Sequence, residues 1–100
     1  MNLVKVSDNL IDSLVEITKN AKELSQRYSE ADWHKLKDLL TEMDKARTKV
    51  FQEYDSQFSD IFSKENGKFH VTIDSKTISA IENYIKVYHE CLIKLKIISQ

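Results

Sequence analysis

The stretch that decides the fold is residues 30–64, EADWHKLKDLLTEMDKARTKVFQEYDSQFSDIFSK. No proline or glycine interrupts it, and the whole chain of 100 residues contains no proline and one glycine, Gly67. Because these two residue types usually form turns and end helices, their near absence predicts long helices with few corners. At about 1.5 Å per residue, this stretch predicts a helix of roughly 50 Å.

Apolar residues recur at every third or fourth position of this helix, which is typical of one buried face. Arg47 falls within the same arc. We expect its guanidinium either to extend to the surface or to pair with a carboxylate in a buried layer that fixes helix register. The predicted stripe is Trp33, Leu36, Leu40, Met43, Val50, Tyr54, Phe58 and Ile61, widened by Leu39, Phe51 and Phe62.

A first helix is predicted over residues 8–28, before the long one. Ser7 or Asp8 can cap its first turn. Its apolar residues alternate in steps of four and three, which gives one seam with a small patch, Ile11 and Val15, beside it. The seam is Leu10, Leu14, Ile17, Ala21, Leu24 and Tyr28.

A third helix is predicted over residues 75–98, after a cap at Asp74 or Ser75. It is apolar around nearly half of its circumference, which is more than one neighbouring helix can cover. We therefore expect it to contact two other helices or another copy of the protein. Its predicted core seam is Ile78, Ile81, Ile85, Tyr88, Leu92 and Leu95, with Ala80, Tyr84, Val87, Cys91 and Ile98 on a second flank.

Two breaks separate the helices. A tight corner is predicted at residues 28–31, and Asn66-Gly67 favours the left-handed conformation that ends many helices. Residues 68–73 alternate as a strand does, but with no second strand in the chain to pair with they are predicted to form an extended connector. The fold class is therefore all-α: a single domain, residues 1–100, of three long helices (about 8–28, 30–64 and 75–98) in an antiparallel bundle.

Stacking these helices predicts a staggered overlap. The first helix would cover residues 31–52 of the second, and the third would cover residues 41–64. Apolar surface would then stay open near residues 33–40 and 58–62, and exposed patches of this kind usually bind partners. The predicted partner-binding residues are Trp33, Leu36, Phe58, Phe62, Tyr84, Val87, Cys91 and Ile98.

Composition argues against several functions. The formal net charge is −1, whereas nucleic-acid binders usually carry a basic excess. We see no signal peptide and no membrane span, and the single cysteine cannot form an internal disulfide. A reducing, cytoplasmic setting is the simplest interpretation.

No catalytic, metal or cofactor site is expected. His34, His70 and His89 lack the spacing and the four ligands of a structural zinc site. Cys91 lies on an apolar flank, where a cysteine is usually an inert small hydrophobe. With one glycine, the chain has no phosphate-binding loop.

The sequence therefore favours a non-enzymatic protein–protein interaction module. It would act as an inhibitor or immunity-type protein, or as a chaperone or adaptor, and would bind another protein or a second copy of itself as a homodimer. The alternative is nucleic-acid or nucleotide binding by an oligomer that gathers Lys86, Lys94 and Lys96 into one basic surface. Glu82 and Glu90 interleave with those lysines, which makes the alternative the weaker one.

Overall fold

A computed structural model describes residues 2–26, 33–65 and 71–98, with the side chains of all except residues 2, 62, 64, 65, 71, 97 and 98. The elements follow in the order β1 (Asn2–Val4), α1 (Asp8–Gln26), α2 (Trp33–Glu65), β2 (Val71–Ile73) and α3 (Ser75–Ile98). The predicted three-helix, all-α architecture is confirmed. The corners predicted at residues 28–31 and at Asn66-Gly67 lie outside the described residues.

The starts of α1 and α3 follow from their capping residues. The carbonyl of Ser7 accepts from the amides of Leu10 and Ile11 at 3.1 and 3.2 Å. The Asp74 carbonyl accepts the first helical hydrogen bond of α3, from the Ile78 amide at 3.0 Å, and its carboxylate caps the helix by accepting from the Thr77 amide at 3.4 Å. The Thr77 amide belongs to the first turn, which has no partner within the helix, so the carboxylate satisfies it.

The connector before α3 is paired, which corrects the prediction that it has no partner strand. β1 and β2 form a parallel pair with Leu3 opposite Thr72, and the Val4 carbonyl accepts from the Asp74 amide at 3.0 Å. The missed signal is a short alternation in the first residues: Val4 and Val6 are fully buried while Leu3 and Lys5 are exposed. Residues 68–70 of the predicted connector lie outside the described residues.

The parallel strands set the direction of the helices that follow them. Lys76 at the start of α3 binds Asp8 and Asp12 of α1 at 3.3 and 3.1 Å. Near the other end, the Lys94 ammonium donates to the Ser25 carbonyl. α1 and α3 are therefore parallel to each other and begin at the same end of the molecule.

Helix α2 runs antiparallel to both. The backbone amide of Lys5 donates to the Gln57 side chain at 3.1 Å, and the Ser7 amide donates to the Glu53 carboxylate at 2.7 Å. The start of α1 thus lies beside the second half of α2, and the molecule measures 53 × 23 × 16 Å. None of the described helices is long and apolar enough to cross a membrane.

The predicted staggered overlap is wrong in this arrangement. Since α1 and α3 begin side by side, both cover the same part of α2, from its start to about residues 52–54, rather than opposite ends of it. Leu36 and Leu40 are accordingly buried instead of open. In the second predicted open patch, near residues 58–62, Phe58 is 36% exposed, and the Phe62 side chain lies outside the described residues.

The core face of α3 is rotated from the predicted one. Its described buried residues are Thr77 and four members of the predicted second flank, Ala80, Tyr84, Val87 and Cys91, whereas Ile85 and Leu92 of the predicted core seam are 58% and 45% exposed. Ala80 and Cys91 are small, and their position allows α3 to approach α1 closely. The buried apolar residues are Val4, Val6, Ile11, Leu14, Ala21, Leu24, Leu36, Leu40, Met43, Val50, Ala80, Tyr84, Val87 and Cys91.

Candidate interaction surface

Half of the predicted partner-binding residues belong to the core. Leu36, Tyr84, Val87 and Cys91 are buried within the chain, so the prediction that they form an open surface is wrong. Its cause is the rotated face of α3 and the coverage of α2 by both outer helices. Trp33 is half-buried and Phe58 is exposed. The side chains of Phe62 and Ile98 lie outside the described residues.

Cys91 occupies the predicted kind of environment. Its thiol lies 3.9 Å from the Ala21 carbonyl at the contact of α1 with α3. Burial raises the pKa of the Cys91 thiol, which disfavours the reactive thiolate. The side chain therefore acts as a small packing residue.

An apolar groove runs along the contact between α2 and α3. At one end, a concavity of about 410 Å³ lies between Trp33 and Leu40 of α2 and Leu92 and Leu95 of α3. The Trp33 ring packs edge-on against His34 at 4.5 Å, and the Lys37 ammonium lies 5.4 Å from the ring centre. A half-buried indole held by its neighbours is a suitable anchor for a partner.

The other end of the groove is almost entirely apolar. A concavity of about 300 Å³ lies between Phe51 and Tyr54 of α2 and Ile78 and Ile81 of α3. Tyr54 also stacks on Phe58, with ring centres 6.1 Å apart. Apolar side chains thus line both ends of the groove.

A polar cluster lies at the middle of the groove. The Asp44 carboxylate accepts from the Tyr84 hydroxyl at 2.9 Å and from the Tyr88 hydroxyl at 3.0 Å. Arg47 approaches the same carboxylate at 3.7 Å and lies over the Phe51 ring at 5.7 Å. The structure combines parts of the two arrangements expected for Arg47. Its guanidinium pairs with a carboxylate, but the side chain is half-exposed and the pair does not form a buried layer.

Sequence reasoning did not single out Asp44, because an acidic residue in a helix is usually solvated. A signal was present in the spacing: Asp44 and Arg47 are three apart, and Tyr84 and Tyr88 are four apart, so each pair shares a helix face.

This cluster is suited to holding two helices together. Burial is the larger cause, and the hydrogen bond to Asp44 the smaller one, of a rise in the pKa of Tyr84 to about 12. The same two causes raise the pKa of Tyr88. Both hydroxyls therefore remain protonated donors at neutral pH, and neither is an activated nucleophile. We call Asp44, Tyr84 and Tyr88 the Asp44 clamp, because their hydrogen bonds hold α2 against α3.

Alkaline pH should loosen that clamp. Because the folded-state pKa of Tyr84 lies above its ordinary value of 10.0, its stabilising effect is complete below pH 10 and is lost as the pH rises towards 12. We expect Tyr84→Phe to lower stability at neutral pH by about 1 kcal/mol and to make the alkaline loss shallower. Urea unfolding at several pH values measures both effects, and an alkaline slope identical in the two proteins would contradict them.

A larger concavity lies elsewhere, between α1 and α2. It measures about 640 Å³ and is lined mainly by exposed polar residues, among them Thr41, Lys45 and Lys49. Across the described part of the chain, no group of three or more histidine, cysteine or acidic residues is placed to hold a metal ion.

The lysines of the alternative function diverge. Lys94 is half-buried and donates to the Ser25 carbonyl on the α1 side of α3. Lys96 lines the groove on the α2 side, and Lys86 is exposed between them. Because the three lysines point in three different directions from α3, they do not form one phosphate-binding face.

Exposed apolar residues concentrate on α3. Among the described side chains, the large exposed ones on this helix are Ile78, Ile85, Ile93 and Leu92. Ile78, Ile85 and Leu92 follow one another at seven-residue intervals on the exposed side of α3, and Ile78 and Leu92 line the two concavities of the groove. Half-buried Ile81, Tyr88 and Leu95 each follow one of these residues by three positions and pack on the core. We call this set of six the α3 seam; it has the heptad spacing of a helix-pairing surface.

Searches among curated proteins and among solved structures gave no match. A protein-family model does match, over residues 35–99, and its description is TTR-52: Transthyretin-like family.

The matched segment covers α2, β2 and α3. Transthyretin-like proteins form a β family, whereas in this chain the described part of the segment is helical apart from residues 71–74. The family description therefore gives no guide to the groove or its occupant. Because this match spans more than half of the chain, the protein belongs to the TTR-52 transthyretin-like family, and the described residues of the matched segment are mainly helical.

Proposed function

We propose that this protein is a non-enzymatic interaction module that binds an amphipathic helix in the α2–α3 groove. The observation that carries the proposal is the α3 seam, whose outer members Ile78, Ile85 and Leu92 are exposed at heptad spacing. Isolated exposed leucines and isoleucines are ordinary. A periodic row of them beside a groove is a suitable surface for a partner helix.

Two further observations support this function. Trp33 and Phe51 line the groove from α2, and aromatic residues are common energetic anchors in interfaces. The Asp44 clamp holds the two walls together without a partner, so little ordering is needed on binding. We place the protein in a reducing, cytoplasmic setting, in which a buried free thiol is stable, and in an inhibitor or immunity-type, chaperone or adaptor role.

A designed peptide tests the groove. The probe is an amphipathic helix of about three heptads with leucine at its a and d positions, and the readout is the fluorescence of Trp33, the single tryptophan. We expect the peptide to change the emission and Leu92→Asp to weaken binding at least about tenfold, a loss of roughly 1.4 kcal/mol.

Val15→Asp is the matched control. Val15 on α1 is 43% exposed and Leu92 is 45% exposed, but Val15 lies outside the groove. The control should bind the peptide as the unmodified protein does. Equal weakening in both variants, or no binding of excess peptide by the unmodified protein at a concentration where it is monomeric, would contradict the proposal.

A further inference from the structure

We infer that the occupant of the α2–α3 groove is a second copy of this chain, with the two α3 helices antiparallel about a twofold axis near Ile85 and Tyr88. The inference rests on the proposed function and adds the identity and direction of the partner. It is carried by the period of the α3 seam and by the charges that flank it.

The period makes α3 complementary to itself. The seam residues 78, 81, 85, 88, 92 and 95 alternate in steps of three and four, and a helix packs best against a partner of the same period. In the antiparallel arrangement, each outer residue meets an inner residue of the second copy. Ile78 then packs on Leu95, Ile81 on Leu92, and Ile85 on Tyr88.

The flanking charges favour the antiparallel direction. Glu82, His89 and Lys96 follow one another at seven-residue intervals beside the seam and are exposed. The edge of the seam is thus acidic near its start and basic near its end. Antiparallel helices bring the acidic end of one copy towards the basic end of the other, whereas parallel helices bring like charges together, which is unfavourable.

No described surface elsewhere on the chain offers the same continuity. Outside α3, the described large apolar side chains that are exposed are Leu3 in β1, Val15 in α1 and Phe58 in the second half of α2. These positions are separated and do not share a face with the seam. A symmetric contact uses the same patch on both copies, and the α3 seam is the patch that is long enough.

Light scattering of the full chain tests self-association. A monomer has a mass of 11.7 kDa, and we expect twice that mass at high micromolar concentration. Ile85→Asp should give a folded monomer, and Val15→Asp should remain a dimer. A monomeric unmodified protein, or an Ile85→Asp variant that remains dimeric, would overturn the inference.

Disulfide cross-linking tests the direction. In the antiparallel dimer, the two copies of residue 85 are offset by only about 4.5 Å along the helix axis, whereas the two copies of residue 78 are offset by about 25 Å, at 1.5 Å per residue. Ile85→Cys should therefore cross-link with itself, and Ile78→Cys should not. A mixture of Ile78→Cys and Leu95→Cys should cross-link. Efficient self-cross-linking of Ile78→Cys would show parallel helices and overturn the inference.

The outcomes also separate this inference from the proposed function. If the protein is monomeric and still binds the designed peptide through Leu92, the second copy is wrong as the occupant while the groove function stands. If the protein is monomeric and does not bind the peptide, both fall.

Discussion

Val87→Asp is expected to unfold the protein at room temperature, whereas Ile85→Asp, two residues earlier on the same helix, is expected to leave it folded. Val87 is fully buried in the core cluster and Ile85 is mostly exposed. An unpaired carboxylate at a buried site costs several kcal/mol, a large part of the roughly 5–15 kcal/mol that stabilises a typical domain.

Circular dichroism followed by urea titration measures this difference. At a protein concentration low enough for the unmodified protein to be monomeric, Ile85→Asp should keep the helical spectrum and lose at most about 1 kcal/mol through lower helix propensity. The two variants carry the same new side chain, so their comparison isolates its position. Equal damage from both, or greater damage from Ile85→Asp, would show that the core face of α3 is wrongly assigned.

The second large effect is expected at the start of the chain. Val4 and Val6 are fully buried, although they come before the first helix. Replacing both with alanine removes four methyl or methylene equivalents, and at about 0.8 kcal/mol each, plus the cavity left behind, the loss is roughly 3–5 kcal/mol. A thermal or urea melt measures it.

Leu3→Ala with Lys5→Ala is the matched control for that prediction. These two positions alternate with Val4 and Val6 and are exposed, so the double substitution should cost about 0.5 kcal/mol or less. If the Val4 and Val6 substitutions were equally mild, β1 would contribute little to the fold. The direction that the strands impose on α1 and α3 would then need another cause.

Helix content and helix limits were predictable because they depend on local rules. The periodic apolar residues and the Asp74 cap indicated α3, and the structure begins it at Ser75. The pairing of β1 with β2 was not predictable in the same way, because strand pairing depends on residues nearly seventy positions apart. The alternation at Val4 and Val6 is too short to indicate a strand alone.

The orientation of α3 could not be read from periodicity. Both of its flanks are apolar at helical spacing, and the choice between them depends on which one meets α1. Contacts such as the Cys91 thiol with the Ala21 carbonyl turn the flank with the smaller residues inward. The more regular seam, with Ile85 and Leu92, is left outward. The candidate site was therefore partly present in the sequence, but it was assigned to the core.

Core positions on α1 illustrate the same limit. Thr18 is fully buried, although it is a polar residue that does not belong to the predicted seam. The seam predicted through Leu10 and Ile17 is shifted by one position towards Ile11 and Thr18, because α1 contacts α3 as well as α2. When a helix has neighbours on two sides, its buried face is not centred on the direction in which most of its apolar residues point.

The proposed interface requires that α3 turns its heptad seam outward and binds through it. The decisive measurement is the mass and helix content of Ile85→Asp, recorded on one sample at high micromolar concentration beside the unmodified protein. We expect a folded monomer of 11.7 kDa beside a dimer of twice that mass. An unfolded Ile85→Asp would place the seam in the core, and a dimer that persists would place the interface elsewhere, so either result would rule out the proposed interface.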